Sequence, residues 1–179
     1  MAILKIARMG HPILLQPACK INSPNALEVG RLIEDMIDTL QEVSGAGVAA
    51  PQVHASLRLV MFHVPNKKAS IEDGETSEGC PFTVLINPRI EVVDNELIDG
   101  TEACLSLPGL AGIVPRYRRI RYTGWDHLGN AIDRTAHGYH ARVVQHECDH
   151  LDGVLYPMRM KDLSTLTFTS EIFRKEVGV

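Results

Sequence analysis

The segment His146-Glu147-Cys148-Asp149-His150 constrains the chain more than any other. On a helix, at 100° per residue, residues four apart lie only about 40° from each other, so the two imidazoles can share one metal ion. Glu147 sits one step round, near such an ion without being forced to bind it. That is the place for a general base that activates water. Cys148 lies about 200° from His146 and points away. Val143 and Val144 precede the segment and Gly153 follows it, so the context predicts a helix over Tyr139–Leu151 that stops at Gly153. This context gives the H-E-x-x-H match its weight.

The rest of the sequence is read for what surrounds that helix. A length of 179 residues suits a single domain over 1–179. A chain of this size buries roughly 70% of its unfolded surface and needs no disulfides. Ser23-Pro24 resembles a capped helix start. Val29, Leu32, Ile33, Met36, Ile37 and Leu40 recur every three or four residues, predicting a helix over Pro24–Val43 that Ser44-Gly45 ends. Leu57–Val64, Phe82–Val93 and Glu96–Gly100 read as strands, the last two joined by an Asp94-Asn95 turn. Arg118–Trp125 and Ala131–Ala136 read as a hairpin around His127–Asn130. Pro65–Pro81, rich in Glu and Asp, reads as a mobile surface loop. The expected class is α+β: short, mainly antiparallel strands around a central helix carrying the metal motif, with a second, N-terminal helix.

Composition narrows the partners. The net charge of -4 argues against nucleic acid. In the arginine-rich stretch 115–122, strand alternation splits the arginines between two faces. No run approaches the ~18 apolar residues of a membrane span. The N-terminal twenty residues are too interrupted by charge and Pro for a signal peptide, so the expected compartment is the cytoplasm. No G-x-G-x-x-G or P-loop pattern occurs, which argues against a dinucleotide or P-loop enzyme. The four cysteines, Cys19, Cys80, Cys104 and Cys148, form no C-x-x-C pair, so a zinc ribbon is excluded.

Two histidines do not complete a site, since a catalytic zinc-type centre takes three protein ligands. Three candidates stand for the third. Tyr156 occupies the position of the third histidine in H-E-x-x-H-x-x-G-x-x-H and is a poor ligand. Glu171 lies about twenty residues on, as in thermolysin-like proteases, but the chain is short for a two-lobed protease. Cys104 sits in Glu102-Ala103-Cys104-Leu105-Ser106. Cys19, Cys80 and Cys148 read as small buried packing residues.

Taken together, three segments resemble the peptide deformylase family, whose motifs are G-x-G-x-A-A-x-Q, E-G-C-L-S and Q-H-E-x-D-H. Here they read Gly45-Ala46-Gly47-Val48-Ala49-Ala50-Pro51-Gln52, Glu102-Ala103-Cys104-Leu105-Ser106 and Gln145-His146-Glu147-Cys148-Asp149-His150. Their order and spacing match as well, and the resemblance spans nearly the whole chain. It implies that Cys104, His146 and His150 ligate a divalent metal, natively Fe²⁺, with Zn²⁺, Ni²⁺ or Co²⁺ able to substitute and water as fourth ligand. It makes Glu147 the general acid/base and assigns Gln52 and the Leu105 N–H to the oxyanion. It places Ala46, Gly47, Val48 and Val143 at the substrate, the N-formylmethionyl end of nascent peptides, which is hydrolysed to formate and a free amine. The ribosome is admitted as a partner; a membrane is not.

One position departs from the motif. Ala103 stands where the family carries Gly. If the backbone there has positive φ, the site is strained; otherwise the change is mild. Asp149 is a candidate partner for Arg116, and Glu102 for Arg142 or the Cys104 loop.

Overall fold

The apolar run Leu59-Val60-Met61-Phe62 sets the layering. Successive side chains of a strand face opposite sides, so an uninterrupted apolar run must be covered on both. In the computed structural model, which describes residues 2–65 and 79–176, it is. The strand β2 (Leu59–Val64) lies inside a five-stranded antiparallel sheet with order β1-β2-β3-β6-β7. Its partners are β1 (Gly47–Ala49), β3 (Cys80–Val92), β6 (Arg119–Trp125) and β7 (Ala131–His137). Leu59 and Met61 pack with Val29, Ile33, Met36 and Leu40 of helix α1 (Leu27–Val43). Val60, Phe62 and Val64 pack with Ala141, Val144, Cys148 and Leu151 of helix α2 (Gly138–Leu151). Each such large side chain contributes about 1.5–3 kcal/mol through burial.

A second sheet, of order β4-β5-β8, faces the metal-motif helix from another side. It comprises β4 (Leu97–Cys104), β5 (Leu107–Tyr117) and β8 (Thr167–Phe168), with a short helix α3 (Thr169–Glu176) after it. Leu107 and Val114 of β5 pack with Leu14, Leu155 and Tyr156. Two packed antiparallel sheets with α2 between them place the chain in the α+β class expected. Among the described residues no helix is long and apolar enough to cross a membrane.

Several boundaries differ from the sequence reading, each for a local reason. Helix α1 starts at Leu27 with Ala26 as cap, three residues after the expected Ser23-Pro24. The Ala26 N–H donates to the Ser23 carbonyl, so Pro24 and Asn25 are spent in a turn. The end is as expected: Ser44 adopts φ 51 and closes the helix. The strand expected from Leu57 begins at Leu59, Leu57 forming only an isolated bridge with Cys19. Strand β5 was not anticipated, because Pro108, Gly109, Gly112 and Pro115 break its apolar pattern. Of the acidic stretch Pro65–Pro81, residues 66–78 lie outside the described residues, and Cys80 and Pro81 already belong to β3. Cys19 is exposed, against the expectation of a packing residue, whereas Cys80 and Cys148 are buried.

The core carries one titratable ring of note. His140 is buried, its Nε2 lies 3.2 Å from the Tyr122 hydroxyl, and its ring packs against Phe62. Burial, then the nearby Arg134 and His137 charges, push its pKa from 6.5 to about 4. A depressed pKa means stability is full above 6.5 and is lost as pH falls through the folded value. The loss amounts to about 3 kcal/mol between those limits. Denaturant unfolding at pH 7 and pH 4 should therefore show a steeper loss in the wild type than in His140→Gln; equal losses would contradict this account.

Candidate metal centre

Helix α2 brings His146 and His150 onto one face, their ring centroids 5.1 Å apart and the planes nearly perpendicular. Cys104, at the end of β4, comes to meet them. The Cys104 Sγ lies 3.3 Å from His150 Nε2. One donor atom from each of the three residues lies within 4.8 Å of the others. Tetrahedral ligation at about 2.0–2.3 Å spaces donors by about 3.3–3.8 Å. The three residues thus fit a metal ion.

The neighbours hold each donor in place. His146 Nδ1 lies 2.8 Å from Glu102 Oε2, so its Nδ1–H donates to the carboxylate and Nε2 is left to face the cluster. Glu102 is gripped in turn by Arg116, whose Nε and Nη2 donate to Oε1 and Oε2 at 2.8 and 2.9 Å. Arg116 Nη1 donates to Asp149 Oδ2 at 2.6 Å, and Arg159 Nη2 donates to Asp149 Oδ1 at 2.8 Å. The sulfur of Cys104 receives the Gln52 side-chain amide at 3.3 Å and the Ser106 N–H at 3.4 Å.

Electrostatics favour one cation here. Burial disfavours a charged His146 ring, but its contacts with Cys104 and Glu102 outweigh burial and raise its pKa well above the usual value. His150 goes the other way: burial, then repulsion from His146 and Arg116, keeps it neutral. Burial also penalises Glu102 most, yet hydrogen bonds from Arg116 and His146 hold its carboxyl at about 2. Glu147 has no such arginine grip. Burial raises its pKa to about 7, the His146 charge opposing, which suits a group that must both take and return a proton near neutral pH. Its Oε2 is buried with no hydrogen-bond partner among the described residues.

A cleft of about 400 Å³ opens onto this cluster. One wall is the segment Gly45–Gly47 leading into β1, the other Thr101–Cys104 of β4. Both strands are at sheet edges, β1 beside β2 alone and β4 beside β5 alone. Gly47 is required by a close approach. A Cβ placed there would lie 2.5 Å from Glu147 Oε1.

Comparison with known proteins identifies the family. A family model described as polypeptide deformylase matches residues 3–165. The chain belongs to the polypeptide deformylase family. Peptide deformylase 1 of Nitrosomonas europaea is 47% identical over 171 residues, covering 96% of this chain and 95% of that protein. Peptide deformylase 2 of Ralstonia nicotianae is 48% identical over 171 residues, covering 96% and 94%. Among solved structures, peptide deformylase from Ehrlichia chaffeensis in complex with actinonin superposes with a TM-score of 0.81 at 29% identity, covering 100% of both chains. The fold, the hydrolase class and dependence on a metal are therefore those of a deformylase, whose substrates are formylated peptide N-termini.

Within this deformylase, the structure sorts the residues singled out from the sequence. Gln52 is 1% exposed, and its Oε1 accepts the Ala49 N–H at 2.9 Å, which turns its amide NH₂ toward Cys104 and Ser106. Leu105 forms, with Ser106, the turn that joins β4 to β5. Ala46, Gly47 and Val143 line the cleft. Val48 does not: strand alternation turns it away from Gly47 and into the core against α1, with no exposure. Tyr156 stacks on the His146 ring, the two centroids 6.3 Å apart. Glu171 sits exposed on α3, outside the cluster.

The doubt over Ala103 resolves toward the mild reading. Among the described residues the non-glycines with positive φ are Ser44, His54 and Asn87, so Ala103 carries no such strain. It is exposed on β4 and lines the cleft. The Asp149–Arg116 and Glu102–Arg142 pairings are present. The bidentate Arg116–Glu102 pair, the Glu102–His146 bond and the Arg159–Asp149 pair were not foreseen. Of the arginines in 115–122, Arg116 is buried in this network, while Arg121 is exposed and paired with Asp133 and Glu91.

Proposed function

We propose that this chain removes the formyl group from the N-terminal methionine of newly made peptides, releasing formate. The observation that carries the reading is the convergence of Glu147, Gln52 and the Leu105 turn on one thiolate–imidazole cluster inside the cleft. Cys104, His146 and His150 would hold a divalent ion, which when bound would supply Lewis acidity toward the formyl carbonyl and water. Fe²⁺ is the native ion in this reading, with Zn²⁺, Ni²⁺ and Co²⁺ as substitutes. The thiolate and two imidazoles suit each of these metals.

The chain's own residues do the rest. Glu147 accepts the proton of the attacking water on its carboxylate and returns it to the departing amine nitrogen. The Gln52 amide and the Leu105 N–H donate to the oxygen that gains charge as the formyl carbon becomes tetrahedral. One such donor is worth about 2.7–4 kcal/mol of the barrier. The substrate backbone adds as an extended strand along the open edge at Gly45–Gly47, with the strand end at Ala103 opposite. Its unbranched methionine side chain enters the part of the cleft lined by Val143 and Tyr139.

The test is formate release from formyl-Met-Ala-Ser by anaerobically purified protein, with acetyl-Met-Ala-Ser as control. Turnover of the formyl peptide alone supports the reading. No formate from iron-, nickel- or cobalt-loaded protein overturns it.

A further inference from the structure

The residue four before His146 on the same helical face is Arg142. Arg142, His146 and His150 thus form one stripe along α2. The Arg142 side chain is buried, and its guanidinium reaches main chain on both strands of the β4–β5 hairpin. It donates to the Ile98 carbonyl at 2.8 Å and the Gly100 carbonyl at 3.3 Å on β4. On β5 it donates to the Val114 carbonyl at 2.7 Å. It also donates to Glu102 Oε1 at 3.1 Å, on the carboxylate whose other oxygen meets His146.

This path exists because residue 100 is glycine. A Cβ there would lie 2.5 Å from Arg142 Nη2 and 2.6 Å from Cζ. The guanidinium is pinned by its acceptors, so it cannot step aside without releasing them.

The arrangement answers a problem the site poses. Two donor atoms ride on α2 and the third on an edge strand of a separate sheet. Neither element by itself fixes the separation between them. Gln145 ties α2 to Tyr117, where β5 pairs with Leu97 at the far end of β4 from Cys104. Arg142 grips the stretch that runs toward the cysteine.

We propose that Arg142, admitted by Gly100, is a positioning residue that holds β4 against α2 and so fixes the sulfur of Cys104 relative to His146 and His150. A planar guanidinium can bridge carbonyls on two strands and a carboxylate at once, which the point charge of lysine cannot. The inference rests on the ligand set of the proposed function.

Cobalt-loaded full-length protein tests it, read by the rate of metal loss to excess EDTA and by the thiolate-to-cobalt charge-transfer absorption. Arg142→Met, Arg142→Lys and Gly100→Ala should each lose cobalt about 10- to 100-fold faster than the wild type, as for other groups that orient metal ligands, with a displaced charge-transfer band. In the Arg142→Met background, Gly100→Ala should add less than about twofold, because its clash partner is gone. Wild-type dissociation and an unshifted band in Arg142→Met and Arg142→Lys overturn the proposal, as does a Gly100→Ala effect undiminished in the double variant. If Arg142→Met does not fold, Arg142→Lys and Gly100→Ala decide it by the same two readouts. A separate outcome, wild-type cobalt retention in Cys104→Ala, would overturn the ligand set itself.

Discussion

Glu147→Gln is expected to lower kcat for formyl-peptide hydrolysis by about 10³-fold while leaving metal content unchanged. The amide is nearly the same shape as the carboxyl group, so no cavity opens in α2. It cannot take a proton from water or hand one to the leaving amine. The position of the carboxyl group explains why the loss should be large. Burial brings its pKa to about 7, so at neutral pH both of its protonation states are accessible. One oxygen faces Gly47 and the other has no partner among the described residues, so neither is tied up in an ion pair. Gly47→Ala probes the same group without touching it. The added methyl would sit 2.5 Å from Oε1 and must displace the carboxyl group. A shift of this order costs about 10²-fold in rate. Steady-state formate release and elemental metal analysis check both variants. A Glu147→Gln enzyme within tenfold of the wild type would assign the proton transfer elsewhere.

The two ends of this site differed in how readable they were. The helix was legible because H-E-x-x-H makes geometric sense only at helical spacing, and Tyr139–Leu151 differs from the observed α2 by one residue at its start. Asp149 and Glu102 were legible as charged groups beside ligands, but their partners were only partly so. Arg159 reaches Asp149 because the chain turns back after α2, and no local pattern encodes that return. The β4–β5 hairpin was half legible. Its first strand was expected only as far as Gly100, although the pairing runs on to Cys104. Its second strand, broken by glycine and proline, is held by pairing with β4, which one strand's propensity does not reveal. The same limit explains Val48. Ala46 and Gly47 before it line the cleft, and only the register of β1 against β2 shows that Val48 faces α1. Gly100 had no signature at all, since its reason lies in a side chain 42 residues away in sequence.

Cys104→Ala is expected to loosen metal binding by several hundredfold and to abolish formate release at sub-micromolar metal, while Glu171→Ala leaves both near wild type. The size follows from sharing a structural zinc site's ~10–16 kcal/mol of binding among four ligands, which gives about 2.5–4 kcal/mol for each. The sulfur is also the meeting point of the site. The Gln52 amide and the Ser106 N–H both point at it, and it lies 3.3 Å from His150 Nε2. Its removal leaves the Gln52 NH₂ with Ser106 Oγ at 3.2 Å as its remaining acceptor, while Oε1 still accepts the Ala49 N–H. The oxyanion donor loses part of its orientation together with the ion. Glu171 offers the opposite case, a carboxylate on the exposed face of α3, outside the three-residue cluster. Chelator competition on the two variants separates the assignments. Metal retained without Cys104, or lost without Glu171, would move the third ligand from the β4 hairpin to the C-terminal helix and undo the site as described.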